Sequence, residues 1–222
     1  MHKPIINIAF WLLSLSIFSF LHLSACARLE PPSVNLYRAI HAGDLNQIKR
    51  HIAHGTDLNQ VDRDGQMPLH VAVEQGNQVI CRLLIEHGAS LSAPNRAGRT
   101  PLELAVLGGK IPVASLLLGA GAALDPQRLL GEAIRGGAEF RDVYQFLVKY
   151  GANVNAPDVI GDTPLITAIR IGNRLIVKRL IEQGAEVNRP GADGITPLAL
   201  ARQRSNGAIV RMLQQFGAVS GP

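Results

Sequence analysis

Apolar residues recur at helical spacing in short bursts along this chain, and each burst is bracketed by residues that start or stop a helix. The clearest case runs from Asp158 to Asn188. Asp158 to Gly161 has the composition of a tight turn. Thr163 stands where an N-cap oxygen is wanted, and Pro164 follows at the first helical position, where its missing N–H costs nothing. Leu165, Ala168 and Ile169 share one side of the helix predicted from there, which stops near Gly172-Asn173. A second helix carries Ile176, Val177, Leu180 and Ile181 at the same spacing, and Gly184 closes it where a left-handed residue is favoured. Each helix is too short to hold alone, and its apolar face has nothing inside the unit to cover it. The unit needs neighbours like itself.

The chain supplies them. Gly55, Gly88, Gly121, Gly151, Gly184 and Gly217 are separated by 33, 33, 30, 33 and 33 residues, a solenoid period. The first-helix start repeats as Met67-Pro68-Leu69-His70, Thr100-Pro101-Leu102-Glu103, Thr163-Pro164-Leu165-Ile166 and Thr196-Pro197-Leu198-Ala199. The turn ahead of it repeats as Asp62 to Gly65, Asn95 to Gly98, Asp158 to Gly161 and Gly191 to Gly194. Behind each second helix come Gly-Ala and then Leu58-Asn59, Val154-Asn155 or Val187-Asn188. In period, in the Thr-Pro-Leu-His box and in the Gly-Ala-x-Val-Asn tail, the chain resembles the ankyrin repeat. The resemblance implies an all-α solenoid over residues 34–219, with six repeats, each a helix-turn-helix plus a β-hairpin finger.

Repeat one lacks the Thr-Pro start and presents Asn35, Tyr37, Arg38, His41 and Asp44, which suits a terminal cap with a wetter outer face. Repeat four is irregular. Between Leu124 and Leu130 the finger is lost, leaving Asp125-Pro126-Gln127-Arg128. Two residues are gained across Gly136 to Arg141 before Tyr144, Phe146 and Leu147 restart the second helix, which accounts for the short interval. Arg202, Gln203, Arg204, Gln214 and Gln215 suit a closing cap.

Residues 1–25 read as an export signal, with His2 and Lys3 ahead of an apolar run from Ile5 to Phe20. Leu23-Ser24-Ala25-Cys26 resembles the lipobox of bacterial lipoproteins, in which the Cys becomes the lipid-bearing first residue of the mature chain. Two other readings stand beside it. Ala25-Cys26-Ala27 also fits ordinary signal peptidase, and Ile5 to Leu23 could stay as a membrane helix, since roughly 18 apolar residues span a bilayer. All three place the repeats outside the cytoplasm. The lipoprotein reading anchors Cys26 in the cell envelope, facing the periplasm and at the outer membrane before the inner. It leaves residues 26–33, with Pro31-Pro32, as acylated Cys and short spacer.

Charge narrows the partners a little. There are 22 Lys and Arg against 17 Asp and Glu; loss of the signal removes only Lys3, leaving 21 against 17, net +4. A nucleic-acid footprint calls for clustered cations with interleaved aromatics, and both the sparse aromatics and the exported location speak against it. With Cys26 carrying lipid, Cys81 has no partner for a disulfide; ankyrin repeats place a buried aliphatic residue at its position. His51 and His54 lie about one turn apart on what reads as an exposed second helix, without the further ligands a metal requires. His70 is the box histidine, which in this family supports the turn by hydrogen bonding. No Gly-x-Ser-x-Gly elbow, phosphate-cradling loop or paired carboxylates occur. The expectation is a non-enzymatic protein without cofactor, metal or small-molecule substrate.

The resemblance implies a protein partner held on the concave face that finger tips and first helices build. The residues this places there are Arg63, Asp64, Gln66, Glu74 and Gln75 in repeat two, Arg96, Arg99 and Leu107 in repeat three, and Val159, Ile160, Asp162, Arg170 and Ile171 in repeat five. Val159, Ile160 and Ile171 stand out as aliphatic residues at positions the fold leaves wet, and contiguous exposed apolar surface marks interaction sites. The alternative is that they cover the gap left by the missing repeat-four finger. The partner is an envelope protein for an adaptor. For an inhibitor it is an exported toxic enzyme, such as a type VI secretion lipase effector neutralised by an immunity protein.

Overall fold

Short helices in antiparallel pairs, each pair closed by a left-handed glycine, are what the capping pattern dictates, and they are what forms. The structure, a computed structural model, describes residues 30–219. Among these residues the first helices are α1 (Leu36–Ala42), α3 (Pro68–Glu74), α5 (Pro101–Leu107), α7 (Pro126–Arg135), α9 (Pro164–Ile171) and α11 (Pro197–Gln203). The second helices are α2 (Leu45–Ala53), α4 (Gln78–Glu86), α6 (Ile111–Gly119), α8 (Arg141–Lys149), α10 (Arg174–Glu182) and α12 (Gly207–Gln215). First helices pack on first helices of the neighbouring pairs, and from α4 onward second helices stack likewise, so one apolar core runs the length of the array. The fold is an all-helical repeat solenoid.

Local chemistry sets the helix starts. Thr163 Oγ1 accepts from Ile166 N at 3.3 Å and Thr196 Oγ1 from Ala199 N at 3.4 Å. Thr100 and Glu103 cap reciprocally, Glu103 N to Thr100 Oγ1 at 3.3 Å and Thr100 N to Glu103 Oε2 at 3.0 Å. Repeat two has Met67 at that position and no capping oxygen, so His70 Nδ1 takes the Met67 N–H at 3.2 Å instead. Four of the second helices are capped by the side chains of Asp44, Asn77, Asn173 and Asn206.

The fingers are turns rather than β-hairpins. Asp62 N donates to Gln66 O at 2.9 Å and Gly65 N to Asp62 O at 3.1 Å, with the same pair of bonds at Asn95, Asp158 and Gly191. No strand forms among the described residues. The ladder stops because the next residues are the helix N-cap and a proline, which has no N–H to extend it. Side-chain clamps join successive repeats instead. Asn59 Nδ2 donates to Gly88 O at 3.1 Å while its Oδ1 accepts from Ser90 N at 2.7 Å. Asn155 and Asn188 do the same to the repeats that follow them. Gln127 replaces the clamp in repeat four, through Asn153.

Two expectations about repeat one need correction. His51 is buried, not exposed: its Nε2 lies 2.7 Å from Val34 O and its Nδ1 3.0 Å from Thr56 Oγ1. The cover is the segment ahead of α1, which is docked where a spacer was expected. Ser33 N donates to Gln47 Oε1 at 2.9 Å, and Glu30 pairs with Arg50 at 3.2 Å. Cys26, the expected export signal and its apolar run lie outside the described residues. Among the described ones no helix is long and apolar enough to cross a membrane.

Candidate protein-interaction face

The tight turns push their second and third residues away from the core, and the site is built from these tips and the exposed side of the first helices. Arg63, Asp64, Arg96, Arg99, Glu74 and Gln75 are all exposed, whereas Gln66 and Leu107 are half-buried. Gln66 Nε2 reaches Glu74 Oε2 at 3.4 Å, and Gln75 Nε2 lies 3.3 Å from His41 Nδ1, so the repeat-two set is knitted to itself and to repeat one.

Asp162 is not a surface residue. It is 2% exposed, and its carboxylate accepts from Arg170 Nε at 2.7 Å and from Ala192 N at 3.0 Å. The fifth finger residue folds back beneath the tip here, because Arg170 one helix-length later brings a cation to meet it. Arg170 also donates to Asp193 Oδ2 at 2.7 Å, so one guanidinium ties two fingers together. Both contacts hold Arg170 above its ordinary pKa, the Asp162 hydrogen bond first. The Asp193 carboxyl is held below its own ordinary value, by the Ile195 N–H first and by Arg170 next. This pair is structural, and only the outer face of Arg170 is open to a partner.

The aliphatic residues behave otherwise. Val159 is fully exposed, Ile160 is 67% exposed and Ile171 47%. They do not cover the gap in repeat four. That gap is open: a cleft of about 370 Å³ lies beside Val159, walled by Asp158 and Pro164 and floored by Leu130, Ile134 and Arg135 of α7. A second opening of about 410 Å³ lies on the other side of α7, between Arg128, Arg135 and the finger residues Gly98 and Arg99. Arg128 pairs with Glu103 across that joint and with Glu132 one turn on along its own helix. Arg135 forms no ion pair or hydrogen bond with the described residues.

Arg128, Arg135 and Phe140 were not singled out from the sequence. The two arginines are seven residues apart on a helix and therefore share a face, but only the missing finger turns that face into a surface. Phe140 is 58% exposed and lies across Gly109, where a Cβ would come within 2.8 Å of its ring. It belongs to the two residues gained after Gly136, so the insertion was its only signal.

Cys81 takes no part in this face. Cys81 is fully buried in α4, and burial pushes its thiol up to about 12, so it stays protonated and unreactive. No group of three or more His, Cys, Asp or Glu among the described residues could hold a metal ion.

A row of paired helices whose tips and first-helix sides are open, and whose core serves only to stack them, defines a binding scaffold of the repeat-solenoid class. The family model for ankyrin repeats matches residues 36–128 and 130–219, and the chain belongs to the ankyrin-repeat family. A putative ankyrin repeat protein of fowlpox virus (strain NVSL) is 40% identical over 50 residues; that stretch is 22% of this chain and 36% of the relative, so the match spans about a third of the relative's length. The ankyrin repeat domain of Bcl-3, of the IkappaB protein family, is similar at 28% identity and a TM-score of 0.64, covering 86% of this chain and 89% of the other. A chain from the complex of a predatory endopeptidase of Bdellovibrio bacteriovorus with an immunity protein is similar at 26% identity and a TM-score of 0.60, covering 82% and 98%. Ankyrin repeats are protein–protein interaction modules, and that is the coarse function of this chain.

Proposed function

We propose that the protein is a non-enzymatic interaction module, anchored by lipid at Cys26 in the bacterial envelope, that holds a partner protein on its finger-and-first-helix face in the periplasm. The observation carrying the binding face is the aliphatic set Val159, Ile160 and Ile171, left in water at the edge of an open cleft. Apolar tips gain most when a partner dries them, and the exposed cations Arg96 and Arg99 beside the neighbouring finger speed encounter with an acidic protein. A second reading, an immunity protein that neutralises a toxic exported enzyme, is favoured by the similarity to the complex containing an immunity protein. The two readings share the face and differ in affinity, the inhibitor lying near the tight end of the range.

A photo-crosslinking amino acid placed at Ile160 in the full chain, in its own cells, tests the face. It should trap one discrete protein, while the same group at Arg82, on the opposite helix row, traps none. Equal labelling from both positions would contradict the proposal. The anchor has its own test. Cys26→Ser should abolish acylation and release the protein from the membrane, since several acyl chains at about 0.8 kcal/mol per buried CH₂ are what hold it. Trp11, the one tryptophan, lies in the signal, so tryptophan emission from protein purified from membranes would contradict cleavage and acylation.

A further inference from the structure

The regular fingers show what the space at repeat four is shaped to take. Finger packs on finger at close range: a Cβ on Gly65 would lie 2.9 Å from Arg96 Cβ, and one on Gly161 would lie 3.1 Å from Ala192 Cβ. Gly98 is the equivalent glycine of finger three, and nothing stands within 4 Å of its Cβ position. Val159 is the equivalent of Arg96 and Ala192 on finger five, and it is fully exposed. Between Gly98 and Val159 there is therefore a slot one finger wide, with α7 as its floor.

Polar groups line it as well. Where fingers five and six meet, the Asp162 carboxylate accepts the Ala192 N–H at 3.0 Å. The corresponding Val159 N–H has no acceptor among the described residues, as is also true of Arg96 N–H where fingers two and three meet, so it is a donor open to a partner. Below it Arg135 stands without an ion pair to the described residues, and Arg99 on the facing finger likewise, while the charge of Arg128 is already met by Glu103 and Glu132. A tight turn fits the slot's width, a carboxylate fits its unpaired donor and cations, and an aliphatic tip would dry Val159.

We propose that the slot left by the missing repeat-four finger receives a tight turn of the partner protein, bearing an Asp or Glu that bonds the Val159 N–H and faces Arg135. The partner completes the row of fingers. This inference rests on the reading of the face as partner-binding and adds which element of the partner enters it.

The test refills the slot from within. The five residues Asp-Arg-Asp-Gly-Gln, copying 62–66, are inserted between Leu124 and Asp125 of the full chain, and the photo-crosslinker is carried at Val159. In the unfilled chain the trapped partner segment, sequenced by mass spectrometry, should be a turn containing Asp or Glu. In the filled chain crosslinking at Val159 should vanish, while circular dichroism and melting show the array intact. Arg135→Glu alone should lower the crosslinked yield about tenfold, the scale of a close charge pair reversed. A helical or carboxylate-free trapped segment, or undiminished crosslinking in the filled chain, would overturn the slot while leaving the partner-binding face standing. Absence of any partner from both Ile160 and Val159 in the unfilled chain would remove both.

Discussion

His70 shows how a single buried group leaves a trace in solution. Burial pushes its imidazole below the ordinary value of 6.5, with the carbonyls of Arg99 and Ala93 opposing. The folded state thus favours neutral His70, and its contribution to stability is complete above pH 6.5. As pH falls from there towards the lowered folded value, the unfolded chain binds the proton first and stability drops. The melting temperature of the wild type should decline between pH 7 and 5 more steeply than that of His70→Asn; parallel curves would contradict the burial argument. Asp162 makes the converse point. Read from sequence it was one more wet finger residue, since nothing in the string shows Arg170 turning back to meet it. Asp162→Ala should cost about 2 kcal/mol, less than a fully buried pair because Arg170 keeps a third of its side chain in water. Urea unfolding gives the loss directly, and a variant as stable as wild type would return Asp162 to the surface set.

At the scale of the helix pair, the sequence carried nearly everything that is local. Thr-Pro starts, Asx caps and left-handed glycines are short-range chemistry, so the helices are legible without tertiary information. Contacts made across the fold were not. His51 read as exposed because its helix position is outward, and only the docking of residues 30–34 over α2 buries it. The hairpin expected of each finger shrank to a turn because proline follows at once. Repeat four was legible as a break, and the structure gives its consequence: α5 and α7 share the thinnest of the interfaces between neighbouring first helices, spanned by Arg128 and Glu103. In a one-dimensional array the weakest interface is where cooperativity divides. Hydrogen exchange should therefore resolve two levels of protection, repeats one to three and repeats four to six. A single level from Asp44 to Leu213 would show the joint to be as strong as the rest.

Over the whole molecule, stacking and the proposed binding fall to different residues. The core is continuous from α1 to α12, and the clamps Asn59, Gln127, Asn155 and Asn188 lie behind the tips, so tip residues other than Asp193, which pairs with Arg170, take no part in these clamps. That separation is why the ankyrin class was readable from the period while the site was readable only in part. Val159, Ile160 and Ile171 announced themselves as apolar residues in wet positions. Arg135 could not, because its role depends on an absent finger. The same separation supplies the most direct test of the account. With the partner trapped at Ile160 in hand, titration calorimetry on Val159→Ser combined with Ile160→Ser should show a loss of about 2 kcal/mol or more in binding, the scale of an interface hot spot, with the melting temperature nearly unchanged. Partner affinity left intact alongside a large fall in melting temperature would assign these residues to structure and contradict the claim that this face binds.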